Sequence, residues 1–392
     1  MSVVELCGFE MGNFLDLWAS SGTFSIQSTI KRTGSYALKI NPTGTAVGYG
    51  GLAAVNAAGQ LVGMDLANVY ARFYFRAETL PASSSEEIFM AQSTTASVKL
   101  TVRITSAGKL QVYDNTGTTQ LGSDGATTLS TGTWYRIEVL VGTGGSANYE
   151  LKIDGITELS GTGDLLTSNN KEMAFGKVLD RNGQSVEFYY DDIYIDDAAF
   201  PGAGQIEVMQ ADGVGTYTDW TVGAGAGADW ENVDEIPHDS NTTYLLSVNS
   251  GDASTVTLES AAAAGISGVI KCVKGVLVVR ENVIATSAHS IRVRSGSTDS
   301  DSSDANLITQ FRTQVRLLES DPADGLPWTT ADLDGLEVGG VQNNAAQIRM
   351  TAAYVMVDFD PDGVAPTGHP AMRRWGGVPG MAPGRAPVGR GW

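Results

Sequence analysis

The chain has 392 residues and a formal net charge of −19, from 25 Lys and Arg against 44 Asp and Glu. That deficit of cations excludes a nucleic-acid grip, which needs Lys and Arg at the phosphates, and the length exceeds one ordinary core, so two or three domains are expected. Forty-seven Gly, with abundant Ser, Thr, Ala and Asp, suit short strands joined by turns and exclude a helical bundle.

From the start to Pro201 the pattern is all strands. Phe24 to Gln27 and Tyr36 to Ile40 alternate, separated by an Arg32-Thr33-Gly34-Ser35 turn. In Val69 to Arg76, Tyr70 and Arg72 share one face, with Ala71, Phe73 and Phe75 on the other. Val98 to Ile104 alternates most cleanly: Val98, Leu100, Val102 and Ile104 are expected inward, with the polar residues between them outward. Lys109 to Tyr113 follows at hairpin spacing, then Trp134 to Val141 and Tyr149 to Asp154-Gly155. Phe188 to Asp197 is the most aromatic strand of the chain, and Pro201-Gly202-Ala203-Gly204 lies just beyond it. Regular short strands with Gly, Asn and Asp turns predict an antiparallel sandwich or jelly roll.

Certain residues of this half carry a family likeness. Gly8-Phe9-Glu10, Trp18, Arg32 to Leu38, Gly132 to Glu138, Asp154-Gly155 and Tyr190-Asp191-Asp192-Ile193 occur in an order that resembles the concanavalin A-like lectin/glucanase sandwiches, particularly laminin-G-like and carbohydrate-binding jelly rolls. The resemblance covers residues 1–201 and implies a jelly-roll domain there. It also implies a structural calcium held by a Glu near the start and an Asp on the closing strand, which here are Glu10 and the pair Asp191 and Asp192.

Residues 205–360 are strand-rich in a different order. Thr243 to Val248, Gly268 to Val273 and Val276 to Val279 read as core strands, and Ser290 to Ser295 alternates strictly. Ser297 to Asp304 is made only of hydroxyls and acids, with no apolar residue, and is expected to be a solvated loop. Arg312 to Leu318 reads as a strand, Trp328 to Leu333 as a short helix capped by Thr329 or Thr330, and Arg349 to Phe359 as a final strand. Asp234-Glu235, Trp328 to Leu333 and Val355 to Phe359 together resemble a β-rich domain recurring in bacteriophage virion proteins. That resemblance implies a structural role in a particle.

The segment 361–392 is rich in Pro, Gly and Ala. Arg373, Arg374, Arg385 and Arg390 against Asp362 give it 4 − 1 = +3 on an acidic protein. A segment of this composition has no core of its own. Trp375, Met381 and Trp392, with Arg373, Arg374 and Arg385 beside them, are its natural anchors for docking on a partner.

Candidate chemistry is sparse. No strand offers two Glu and an Asp at alternate positions, as sandwich glycosidases require, and Glu86 and Glu87 are adjacent, hence on opposite faces. Gly223 to Gly227 lacks a Lys and a helical continuation, so it reads as a flexible loop and not a phosphate cradle. For Asp191 and Asp192 two readings stay open: the calcium site with Glu10, or one carboxylate capping a turn while the other is solvated at a sheet edge. Asp299 to Asp304 lacks the central Gly and closing Glu of a calcium loop. Trp134 and Tyr135 are adjacent, so one of them faces outward. Cys7 and Cys272 are expected as reduced, buried thiols, and His238, His289 and His369 are too scattered for a metal cluster. No apolar run reaches the ~18 residues that cross a bilayer, and no basic-then-apolar leader follows Met1.

The expectation is therefore an all-β protein: a jelly roll over 1–201, a second β-sandwich over 205–360 and an extended basic tail over 361–392. Its function is expected to be non-enzymatic: a structural component on the exterior of a bacteriophage particle, as tail appendage or head decoration. It would be made in the host cytoplasm, assemble as a homo-oligomer with other virion proteins through its docked tail, and contact host-surface glycans. It would contact neither nucleic acid nor membrane. The alternative is a carbohydrate-binding module or glycan-active enzyme unconnected with virions.

Overall fold

The computed structural model describes residues 3–363, apart from 16, 18, 181, 182, 284 and 285. The docking anchors Arg373, Arg374, Trp375, Met381, Arg385 and Trp392 therefore lie outside the described residues. The first half forms β1 (Val3–Cys7), β2 (Ala19–Gly22), β3 (Phe24–Gln27), β4 (Ala37–Ile40), β5 (Gly48–Leu52), β6 (Ala54–Val55), β7 (Leu61–Val62) and β8 (Val69–Thr79). It continues with β9 (Ser85–Ser93), β10 (Val98–Thr105), β11 (Leu110–Tyr113), β12 (Tyr135–Val141), β13 (Ala147–Ile153), β14 (Ile156–Gly163), β15 (Asn170–Lys177) and β16 (Glu187–Asp196). The second half contributes β17 (Gln205–Thr218), β18 (Thr221–Ala224), β19 (Tyr244–Ser247), β20 (Ala253–Leu258) and β21 (Val269–Glu281). β22 (His289–Ser295), β23 (Thr298–Asp301), β24 (Arg312–Leu318), α1 (Thr330–Leu333), β25 (Leu336–Gln342) and β26 (Ile348–Asp360) complete it.

Two antiparallel sheets make the first sandwich. One runs β14-β13-β12-β8-β16-β4-β3, with β1 also paired to β16; the other runs β11-β10-β9-β15-β5-β2. Alternation explains the core between them: Leu100, Val102 and Ile104 of β10 meet Phe73, Phe75 and Ile137 from the facing sheet, with Phe89 and Phe175 filling the centre. Val98 departs from the expected inward set. The register shifts between Val98 and Leu100, and Val98 packs with Met90, Ala174 and Val178 in a separate apolar cluster. At the β13–β14 turn, Asp154 and Gly155 both take positive φ (51° and 87°), the backbone an Asp-Gly hairpin turn demands.

The second half folds as a sandwich because β17 changes layers. Its first residues, Gln205 to Gln210, pair with β26, whereas Ala211 to Thr218 pair with β20. The two layers enclose Leu245, Val273, Leu277, Ile291, Val338, Ile348 and Val355. Thr329 caps α1 as expected, in a reciprocal capping box with Asp332. Two expectations need correction. Thr298–Asp301 is a strand and not a loop, because its acids face cations on β22: Arg294–Asp299 at 2.6 Å and Arg292–Asp301 at 2.7 Å. Thr221–Ala224 carries the start of the Gly223 to Gly227 run into a strand paired with β19.

The sandwiches share a third apolar core. Val3, Leu6, Met11 and Tyr194 pack against Cys272, Val276, Val315, Ala352 and Met356. Buried ion pairs cross the same seam: Arg72 to Asp358 at 2.5 Å and Lys274 to Glu5 at 2.5 Å, all four side chains fully enclosed. Arg72 does face outward from its own sandwich; the second sandwich is what covers it. The tip of the β6–β7 hairpin also reaches across, where Gly59 O accepts from Val315 N (2.8 Å) and Ala58 O from the Gln314 side chain (2.9 Å). Cys7 and Cys272 are both buried, as expected. Among the described residues, no helix is long and apolar enough to cross a membrane.

Candidate functional site

The aromatic strand that carries Asp191 and Asp192 is not an edge. β16 lies inside its sheet, with β8 on one side and β4 and β1 on the other. Both carboxylates are fully buried and Glu10 is 3% exposed, which removes the reading of a solvated edge acid. The β16–β8 register breaks between Asp191 and Tyr194, and Asp192 takes a left-handed φ of 49°. That twist sends the two acids to different partners. Asp191 accepts from the backbone N–H of Arg32 (2.8 Å) and of Asp192 (2.9 Å). Asp192 accepts from the Arg32 guanidinium (2.6 Å), the Thr33 hydroxyl (2.7 Å) and the Ile206 N–H (2.7 Å). Arg32 in turn lies 3.4 Å over the Tyr74 ring. Glu10 accepts from the N–H of Ser35 (2.6 Å) and Tyr36 (3.4 Å), and Glu207 from that of Gly34 (3.0 Å). The Arg32 to Tyr36 turn is thus wrapped around four acids.

Burial pushes the Glu10 carboxyl up to about 8, against the Ser35 and Tyr36 N–H groups and helped by Glu207 and Asp192. Burial, then the neighbouring Asp192 charge, also raises Asp191 well above the carboxylate range. Among the described residues no group of three or more His, Cys, Asp or Glu side chains is arranged to hold a metal ion. The expected trio is therefore not assembled as ligands, and Asp192 in particular is already engaged by Arg32, Thr33 and Ile206. Glu10 and Asp191 already accept backbone N–H groups, and burial favours their neutral forms, so a cation would have to displace those bonds and restore both charges. Backbone carbonyls would have to complete the six to eight oxygens that calcium takes.

A second arrangement, on the outer face of the six-stranded sheet, was not picked out from the sequence. Directly opposite one another across the strands stand Tyr113, Thr101, Met90, Ala174 and Gly51. Their chain neighbours Val112, Leu100, Val102, Phe89, Met173 and Phe175 fill the core, so this row points away from it. One step along lie Arg103, opposite Glu87, and Tyr49, opposite Gly176; one step the other way Gln92 faces Glu172. Five strands at ~4.8 Å make a row ~19 Å long. Arg103 lies 3.8 Å over the Tyr113 ring, 3.9 Å from Glu87, and donates to Gly117 O at 2.5 Å. Met90 and Ala174, with Val178 and the half-buried Tyr49, give the face an apolar floor. Glu172 lies over Gly51, where any Cβ would collide with its Oε1. Two buried oxygens here, Thr101 Oγ1 and Glu172 Oε1, have no hydrogen-bond partner among the described residues. Burial raises the Glu172 carboxyl, and burial with the Glu172 charge raises the Tyr49 hydroxyl. Small residues flanked by tyrosines, with lone acceptors between, suit an amphipathic, hydroxyl-rich ligand.

The remaining candidates are structural. Glu86 lies 3.5 Å from Lys177, and both it and Glu87 are buried. Trp134 immediately precedes β12 and Tyr135 opens it; both are half-buried, and the Tyr135 hydroxyl accepts from Ser130 N–H at 3.0 Å. The signal that would have found the sheet face was weak: Gly51, Ala174 and Thr101 are ordinary residues until three strands bring them together.

No protein-family model matches the sequence, and neither does any curated protein. Solved structures do show likeness. The cellulose-induced protein Cip1 aligns at 19% identity and a TM-score of 0.40, over 51% of this chain and 99% of its own. A carbohydrate esterase from the Shiga toxin-encoding bacteriophage phi24B aligns at 15% and 0.37, over 51% and 98%. A Trypanosoma rangeli sialidase aligns at 8% and 0.32, over 45% of this chain and 27% of its own. At these values the likenesses carry no argument about substrate or mechanism. The expectation of a non-enzymatic protein is nevertheless corrected and goes no further, because sialidases and a carbohydrate esterase stand among the similar chains.

Proposed function

We propose that this two-sandwich β protein recognises a carbohydrate on the outer face of its six-stranded sheet. The observation that carries the reading is the pair of partnerless buried oxygens, Thr101 Oγ1 and Glu172 Oε1, on a face floored by Met90 and Ala174 and flanked by Tyr49 and Tyr113. Sugar C–H faces stack on the tyrosines, and sugar hydroxyls donate to the two oxygens, which water reaches poorly. The test is binding of the full chain to a polysaccharide panel, with product release assayed in the same samples. Tyr113→Ala and Glu172→Gln should each weaken binding at least tenfold while leaving thermal unfolding cooperative. Binding that both variants leave intact would place recognition elsewhere, and a panel with no binder would remove it.

A place on the exterior of a bacteriophage particle, as a homo-oligomer among other virion proteins, belongs to the same proposal and rests on the resemblance of residues 205–360. Mass spectrometry of separated heads and tails tests it, and absence from both would end it. A structural calcium at Glu10, Asp191 and Asp192 is the third part and rests on the resemblance of residues 1–201 alone. Calcium should raise the unfolding temperature of the full chain and not that of Glu10→Gln; equal temperatures with calcium and with chelator would dismiss it.

A further inference from the structure

Two apolar clefts flank the β6–β7 hairpin where it crosses to the second sandwich. One, ≈ 370 Å³, is lined by Leu15, Leu61, Val279 and Ile308; the other, ≈ 410 Å³, by Val3, Val55, Met64, Leu66, Val315 and Leu317. Both border β24, whose one full strand partner among the described residues is β21. On its other side β24 meets the hairpin tip, through Val315 N to Gly59 O. Main-chain groups alternate sides along a strand, so those of Leu317 point the same way as those of Val315, into the larger cleft.

The place where the described chain stops bears on this cleft. Gly363 folds back beside Val269, donating to Asp360 O at 3.1 Å, and a Cβ on it would meet Val269 at 2.9 Å. Val269 begins β21, and Lys274 of that strand lies opposite Leu317. Five residues of strand separate Val269 from Lys274, or ~17 Å at ~3.3 Å each. Trp375 is twelve residues beyond Gly363 and reaches up to ~40 Å when extended. It also stands in residues 371–378, the longest proline-free run of the segment, so every residue around it keeps an N–H to give to an edge strand. A tail leaving Val269 along β21 runs antiparallel to β24 and arrives first at Leu317.

We propose that the segment 364–392 of this same chain straps across the seam, with Trp375 seated in the ≈ 410 Å³ cleft between β1, β6 and β24. Tethering favours the chain's own tail over a neighbour's, since a short linker supplies an effective concentration on the order of millimolar. The segment's +4 charge (Arg373, Arg374, Arg385 and Arg390, no acid) against −23 for residues 1–363 (−19 − 4) favours contact with the body. The strap would hold the two sandwiches together from outside, where Glu5, Lys274, Arg72 and Asp358 hold them from within.

The test uses the full chain with Trp375 replaced by the photo-crosslinker p-benzoylphenylalanine, as an equal mixture of isotopically light and heavy protein. Irradiation should join residue 375 to Val55, Met64, Leu66 or Leu317 in light–light and heavy–heavy pairs alone. Mixed pairs would put the tail on a second copy, and crosslinks elsewhere or none would leave the cleft to another occupant; each result overturns the proposal. Tryptic cleavage after Arg373 and Arg374 gives an independent reading. Trp375→Ala should accelerate it at least tenfold, and an unchanged rate overturns the strap.

Discussion

His289 offers a measurable link between a buried side chain and the acid stability of the second sandwich. The ring, on β22, is fully enclosed; its Nδ1 is 2.6 Å from Gln314 Oε1, and its Nε2 has no hydrogen-bond partner among the described residues. Gln314 spends its amide N–H groups on Ala58 O (2.9 Å) and His289 O (3.1 Å), so its oxygen must accept. His289 therefore carries its hydrogen on Nδ1, and a second proton would go to Nε2, packed against Gly340 and Trp220. Burial lowers this imidazole to about 4 from 6.5, with Gln314 and the Asp304 charge opposing. Because the folded-state value is the lower one, the unfolded chain binds the proton first as pH falls. Stability from this group is complete above about pH 6.5 and is lost as pH drops towards 4. The 2.5-unit gap corresponds to about 3 kcal/mol at pH 4 and about 2 kcal/mol at pH 5, at 1.36 kcal/mol per unit. Asn in place of His289 keeps an N–H near the Nδ1 position and cannot titrate. Urea unfolding of the native chain and of His289→Asn at half-unit steps from pH 7 to pH 4 should show the native chain losing about 3 kcal/mol more. Parallel acid profiles would refute the neutral, buried histidine. A variant less stable by the same amount at every pH would show that His289 matters for packing alone.

Other substitutions probe the seam, the acid-wrapped turn and the cap. Arg72→Met should leave Asp358 buried and uncompensated and cost about 3–5 kcal/mol, while Arg72→Met with Asp358→Leu should recover most of it; chemical denaturation of the four-member cycle measures the coupling. Burial opposes the charge on both partners. We take the pair as ionised, because the guanidinium meets both carboxylate oxygens, at 2.5 and 3.3 Å. Gly34→Ala must hold a left-handed φ of 56° while its Cβ strikes the Glu10 carboxylate, a loss of about 2–4 kcal/mol readable by calorimetry. Thr329→Ala removes the cap of α1 and should cost about 1 kcal/mol.

What the sequence showed and what it hid divide along one line. Features set by neighbours in the chain were legible: the alternation of Leu100, Val102 and Ile104, the Asp154-Gly155 turn and the Thr329 cap. Features set by residues far apart in the chain were not. Thr298 to Asp301 is the exception: its compensating cations, Arg292 and Arg294, lie only nine and five residues back from Asp301 and Asp299, on the strand it pairs with, and the run of hydroxyls and acids hid that pairing. β16 was recognisable as the last strand of its sandwich, but its place between β8 and β4 follows from chain topology, and that place is what buries Asp191 and Asp192. Val98 broke its own clean alternation because the register shifts at that end of β10.

The same distinction explains why the two sheets of the first sandwich have different fates. The outer face of the eight-stranded sheet carries Arg72 and Tyr194, and both are covered by the second sandwich. Charge and apolar surface are buried there together, so the seam fixes one relative orientation of the two halves and resists sliding. The six-stranded sheet lies on the opposite side of the shared core, and its outer face therefore points away from the seam. A face backed by Phe73, Phe89 and Phe175 is rigid, and the half-buried Tyr49 and Tyr113 are where its otherwise buried row meets solvent. In such a place Thr101 and Glu172 can keep oxygens without protein partners, since a ligand that brings its own hydroxyls completes them. If Tyr113→Ala and Glu172→Gln abolish binding while the Arg72–Asp358 cycle leaves it unchanged, recognition and assembly of the halves are separate properties of the two sheets.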